Sequence, residues 1–401
     1  MSKFKILLAL LLLGNVLGSC MSTNNSRGNA VSPEGETVVQ IPFDTIQNLI
    51  IIEAEINGNK GRFLFDNGFT LSAISPSFAE KCGVRFNRSA TVNDINNKKS
   101  SLDETTLESI KIGGFDFQKT GLYKIDTKKF FPCDDVDGVI GASIINKVNW
   151  KIDYQARTIA ISGNPFDFQD DATVIPVVFN RGNTALTNIA VKNQEITCKI
   201  DIGMAGEMAI KKSKYLPLFV GDQAIKTDGI SSLGATGLGG IENNYDLAER
   251  MVIKSGTNEL SAGAQIELEQ SQKYDGYIGI GYLKHYAIIL NSTENQYILF
   301  DGNIPNDGDG MNYGINMYII NDTCRIIQKN GFDPLLNGIE LMSMVEMIDD
   351  QPTSEFRSVC DLRAFLRKKN ASKSEMILQL KNNEEPIVLP YRELVTGPIE
   401  D

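Results

Sequence analysis

The stretch GRFLFDNGFT, Gly61–Thr70, runs an apolar strand straight into Asp66, with Asn67 and Gly68 immediately behind it. Asp-Asn-Gly is ordinary turn chemistry, since these residues tolerate left-handed backbone and bond their own main chain. A catalytic use of the carboxylate needs a second aspartate. The chain supplies one by repeating itself. VVQIPFDTIQNLIIIEAEINGNKGRFLFDNG leads up to Asp66, and ATVIPVVFNRGNTALTNIAVKNQEITCKIDIG leads up to Asp201. Each copy has Ile-Pro, an alternating strand, a polar turn and a strand ending in Asp-x-Gly. Ile41 precedes Asp66 by 25 residues and Ile175 precedes Asp201 by 26.

The repeat continues downstream. VDGVIGASIINKVNWKIDYQARTIAI follows Asp66, and YDGYIGIGYLKHYAIILNSTENQYILF follows Asp201. Both carry Asp-Gly, two residues, Gly, a short apolar helix-like stretch and a hairpin. Landmarks in one order at nearly constant offset read as two homologous lobes, 38–165 and 172–301. Short apolar runs between Gly, Asn and Asp, with few helix-length periods, predict a mostly β fold.

Each lobe resembles a retropepsin-type aspartic peptidase unit: an apolar pair before Asp-[Thr/Ser]-Gly, a flap hairpin, then an apolar-Ile-Gly strand and a short helix. Two in one chain resemble the pepsin arrangement, and GVIGASIINKVNWKIDY resembles secreted bacterial aspartyl-protease-like proteins that often carry a PDZ domain. The resemblance implies two β-barrel lobes whose Asp66 and Asp201 share one proton, the ionised one activating a water and the protonated one polarising the scissile carbonyl. It implies that Gly68 and Gly203 make the tight turns, and that Gly141 and Gly279 leave room for the aspartate loops. The flaps fall within 90–114 and 228–244. No cofactor and no metal are expected; the substrate is a peptide or protein.

Asn67 and Ile202 stand where the family has Thr or Ser, whose hydroxyl ties the two lobes together. Ile202 has no side-chain donor, and Glu207 stands where the first lobe has Ser72. These departures support the alternative of an inactive pseudoprotease that binds peptides. A third reading is a structural envelope lipoprotein.

The remaining segments set the context. At 401 residues, two or three domains are expected. The formal charge is −11 with no basic patch, which argues against nucleic acid. MSKFKILLALLLLGNVLGSC reads as a signal peptide over 1–19, and Leu17-Gly18-Ser19-Cys20 resembles a lipobox, implying a lipid anchor on Cys20 and export to the cell envelope. Residues 20–37 read as a polar tether. The other five cysteines are odd in number, and none has metal-site spacing. His285 is the sole histidine, which nearly excludes histidine-based nucleophilic catalysis. Ser75-Pro76 predicts a helix start, with Gly83 at its end. Residues 302–311 read as a linker, and 312–398 resembles a divergent, small α/β PDZ domain. That resemblance puts a peptide-carboxylate loop near Tyr313, Gly314, Ile315, Asn316 and Met317.

Overall fold

The computed structural model describes residues 28–34, 38–93, 99–230, 233–234, 237–238, 240–269, 273–300 and 311–400. The expected signal segment, Cys20, most of the tether, 302–310 of the expected linker and the tips of both expected flaps lie outside them.

The fold is mostly β. In the first half, Leu49–Ile56 and Asn59–Asp66 form an antiparallel hairpin. Its two-residue turn, Asn57-Gly58, has φ of +50° and +78°, the left-handed pair that matches strand twist. In the second half, Ala185–Val191 and Gln194–Asp201 repeat the hairpin around Lys192-Asn193, again with φ positive at both residues. Each aspartate therefore ends the second strand of a hairpin. A short strand lies parallel to each: Gly138–Gly141 beside Asn59–Asp66, and Gly276–Gly279 beside Gln194–Asp201. The register sets Gly141 opposite Asp66 and Gly279 opposite Asp201. All four residues of both short strands are buried.

Helices Ala142–Ile145 and Ile280–Leu283 follow those strands and lead into hairpins that meet. Asn149–Asp153 pairs antiparallel with Ala287–Asn291, Trp150 opposite Leu290. Among the described residues this seam is the centre of a six-stranded sheet with three strands from each half. Trp150 is fully buried and donates its indole N–H to the Ile145 carbonyl at 2.7 Å. One apolar cluster runs through both halves. The predicted helix spans Pro76–Lys81; Ser75 Oγ caps it from outside, accepting the Phe78 N–H, and Gly83 follows at φ +66°.

The C-terminal segment has its own smaller core. It comprises strands Ile315–Ile320, Thr323–Asn330, Val345–Ile348 and Met376–Leu380 and the helix Val359–Ser372. It is tied into both halves. Thr323–Asn330 pairs with Gln223–Ile230 of the second half, so the sheet runs on from one into the other. Gly397–Pro398 adds to the same strand. A disulfide, Cys133–Cys360, joins the helix to the first half, while Cys82, Cys198 and Cys324 are free and buried.

Candidate active site

Two turns of the same build face each other. Asp66 Oδ1 accepts the N–H groups of Gly68 at 2.7 Å and Phe69 at 3.1 Å. Asp201 Oδ1 accepts the Gly203 N–H at 3.1 Å. Each carboxylate is thereby folded back over its own turn. Each also lies against the other's glycine. A methyl on Gly68 would stand 2.1 Å from Asp201 Oδ1, and one on Gly203 would stand 2.1 Å from Asp66 Cγ. No side chain fits at either place, so the two glycines are required by the approach of the carboxylates.

Gly141 and Gly279 sit where the backbone leaves no space for a side chain. A Cβ on Gly141 would lie 1.9 Å from the Leu71 carbonyl oxygen, and one on Gly279 2.2 Å from that of Gly206. The chain returning from each aspartate passes directly over these strands.

Asn67 and Ile202 divide one job between them. Both are buried. Asn67 Oδ1 accepts the Ile202 backbone N–H at 2.7 Å, and its amide reaches the Tyr297 hydroxyl at 3.5 Å. A carboxamide from one half thus bridges to the main chain of the other. A side-chain hydroxyl at 202 is unnecessary for this link, because the main chain donates in its place.

Ser72 and Glu207 hold their strands differently. Ser72 Oγ accepts the Gly141 N–H at 3.1 Å. In the second half the Glu207 carbonyl takes that place, accepting from Gly279 at 2.8 Å. Its carboxylate turns to Arg250, bidentate at 2.7 and 2.8 Å, and to the Gln265 N–H at 2.9 Å. His285 Nε2 stands 3.8 Å away. Burial opposes the charge on Glu207, but the neighbouring His285, the bidentate Arg250 and the Gln265 N–H together hold its carboxyl below its ordinary range.

One neighbour was not legible as a site residue. Lys199 Nζ lies 2.7 Å from Asp201 Oδ2 and donates to the Gly68 carbonyl at 2.8 Å. The two side chains are only 11% and 12% exposed. The available signal was the spacing: residues two apart on a strand share a face. Burial of its own carboxyl, then the charge of Asp201, pushes Asp66 up to about 7, against the opposing pull of Lys199.

The repeated Asp-Gly aspartates serve structure. Asp137 accepts the Arg62 N–H at 2.8 Å, and Asp275 is held by Lys214 and by the Tyr215 hydroxyl. The Tyr313–Met317 segment is more closed than a free loop. Tyr313 is buried and donates to the Ser374 carbonyl at 2.7 Å, Gly314 N–H bonds Asn312 Oδ1 at 2.6 Å, and Ile315, Asn316 and Met317 are already in a strand. Among the described residues no group of three or more His, Cys, Asp and Glu side chains is placed to hold a metal ion.

Residues 52–144 match the family model of aspartyl proteases. The matched span holds Asp66, Gly68 and Gly141 and ends before Asp201. No curated protein matches the chain.

Proposed function

We propose that the chain is an aspartic-type peptidase built from two duplicated lobes, hydrolysing a peptide bond with a water held between Asp66 and Asp201. The observation that carries this is the mutual seating of the carboxylates, each against the other's turn glycine. Two acids so close share one proton at moderate pH. The ionised carboxylate takes a proton from the water, whose oxygen attacks the scissile carbonyl carbon. The protonated carboxyl gives its proton to the carbonyl oxygen, producing a gem-diol. Collapse of the diol breaks the C–N bond, and a carboxyl proton passes to the leaving amine. One water is consumed and no cofactor takes part. An extended substrate would lie along the cleft between the two aspartate turns, beneath the hairpins Arg88–Asn93/Lys99–Ile112 and Gln223–Ile230/Ile241–Leu247.

The setting of this activity is the cell envelope, with Cys20 as lipid anchor. The Cys133–Cys360 disulfide supports an oxidising compartment. The C-terminal segment is read as PDZ-like. In support, Ile315–Ile320 pairs only with Thr323–Asn330 among the described residues, which leaves its other edge for an added peptide strand.

The test is cleavage of a diverse peptide mixture from pH 3 to 8, read by mass spectrometry, with Asp66→Asn and Asp201→Asn beside the native chain. Cleavage lost in both variants is the expected result. A folded native protein that binds peptides and cuts none would replace the peptidase with a peptide-binding pseudoprotease.

A further inference from the structure

The two aspartate strands differ at one position that faces the dyad. Two residues before Asp66 stands Leu64, apolar and 6% exposed. Two residues before Asp201 stands Lys199, whose ammonium touches both Asp201 Oδ2 and the carbonyl of Gly68 in the opposite turn. The otherwise similar turns thus differ by a buried ammonium in direct contact with one carboxylate and absent beside the other strand's Leu64.

We propose that Lys199 is a positioning residue that breaks the symmetry of the acid pair, keeping the negative charge on Asp201 and the shared proton on Asp66. The same contact fastens the turn of Asp66 to the strand of Asp201, a second tie beside Asn67. With Asp66 protonated, Lys199 and Asp201 form a neutral pair, which lowers the cost of burying them. The ring of Tyr277 lies 5.4 Å from Nζ, and Tyr274 is the other titratable group in its field. Burial pushes the Tyr277 hydroxyl up to about 12, so beside Lys199 it is a neutral ring, and the two aspartates are the acids that meet the lysine directly. Under the peptidase reading, on which the catalytic part of this inference rests, Asp201 is the general base and Asp66 the general acid.

The test uses the full chain with ¹³C-carboxyl-labelled aspartate and follows the two carboxyls by NMR against pH. Asp66→Asn and Asp201→Asn spectra assign them. In the native protein Asp66 is expected to titrate above Asp201; the reverse order overturns the inference without any lysine variant. Lys199→Met is expected to raise both titrations by about 1–3 pH units, the size of an opposite charge within contact. Lys199→Arg should restore most of the native values. Titrations unmoved in folded Lys199→Met would also overturn the inference. Cleavage assays run in parallel separate the two ideas. If Lys199→Met moves the titrations but no variant cuts peptides, the peptidase reading falls and the positioning role stands. If the native chain cuts peptides and the titrations stay put, the positioning role falls alone. Where both hold, the whole pH–rate profile of Lys199→Met moves to higher pH, with kcat falling more than KM changes.

Discussion

The first half supports its aspartate with small polar groups, and the second half supports its own with buried charge. Around Asp66 the fastenings are the Ser72 hydroxyl and main-chain N–H groups. Around Asp201 they are the Lys199 ammonium and, one strand away, the Glu207–Arg250 pair. The backbone around both is closely alike: a hairpin, a parallel short strand, and a glycine opposite the acid. The difference teaches that the frame of such a site is set by backbone close approach. The side chains around it are free to exchange neutral for ionic ties so long as each buried charge finds a partner.

If the frame is shared, breaking it should cost the same on either side. Gly68→Ala and Gly203→Ala each drive a methyl into the facing carboxylate. Under the peptidase reading, each is expected to cut peptide hydrolysis by about 100-fold or more, since a displacement near 1 Å has that effect. Steady-state rates of the two variants check this, and a loss confined to one would show that only one turn bears on the reaction.

The supports should fail unequally. Glu207→Ala removes the bidentate partner of the poorly exposed Arg250 while its bond to the Gly263 carbonyl stays, at a cost of about 3 kcal/mol, the low end for breaking a buried pair. Ser72→Ala removes one neutral acceptor and should cost about 1–3 kcal/mol. Denaturant unfolding of the two variants measures the contrast, and equal losses would remove it.

The acid pair makes stability depend on pH. Asp66 is raised to about 7 in the folded state, so the folded chain holds that proton more tightly than the unfolded chain does. Its contribution is full below the unfolded carboxyl range, declines as pH rises towards 7, and is absent above it. Asp66→Asn keeps a neutral side chain at every pH. Relative to the native protein it should gain stability between pH 4 and 8, by at most about 4 kcal/mol at roughly 1.4 kcal/mol per pH unit. Thermal melts across that range test the sign; a gain that grows towards low pH would contradict it.

The C-terminal segment offers the smallest and most local comparison. It reaches the first half through Cys133–Cys360 and the second through a strand ladder. Reduction of the disulfide should lower stability by about 2–4 kcal/mol. Hydrogen exchange should quicken in Val359–Ser372 while Thr227–Gly229, paired to Gln328–Asn330, stay protected. Loss of protection in both places would mean the ladder depends on the bond.

Much of this was open to reading from the chain. Alternating apolar residues with Asn-Gly turns encode hairpins locally, and Ser75-Pro76 with Gly83 bracket a helix for local steric reasons. The recurrence of Asp-x-Gly and of the later apolar-Gly strands marked both acids and all four glycines. Asn67 and Ile202 were harder. Residue type alone set Ile202 down as a missing donor, yet its backbone N–H supplies the bond. A main-chain donor is common to every residue but proline, so sequence does not advertise it.

By itself, then, the sequence determined the strands, the turns and the two places where an acid meets a tight bend, because these depend on neighbours a few residues apart. Only the tertiary structure decided that Lys199 joins Asp201 to Gly68, that Cys133 pairs with Cys360, and that Thr323–Asn330 extends the sheet of the second half. The links from Lys199 to Gly68, from Cys133 to Cys360 and from Thr227 to Asn330 join residues roughly a hundred or more positions apart. Hydrogen bonds and disulfides at such separations leave no local pattern to read; they are set by which surfaces the folded halves bring together.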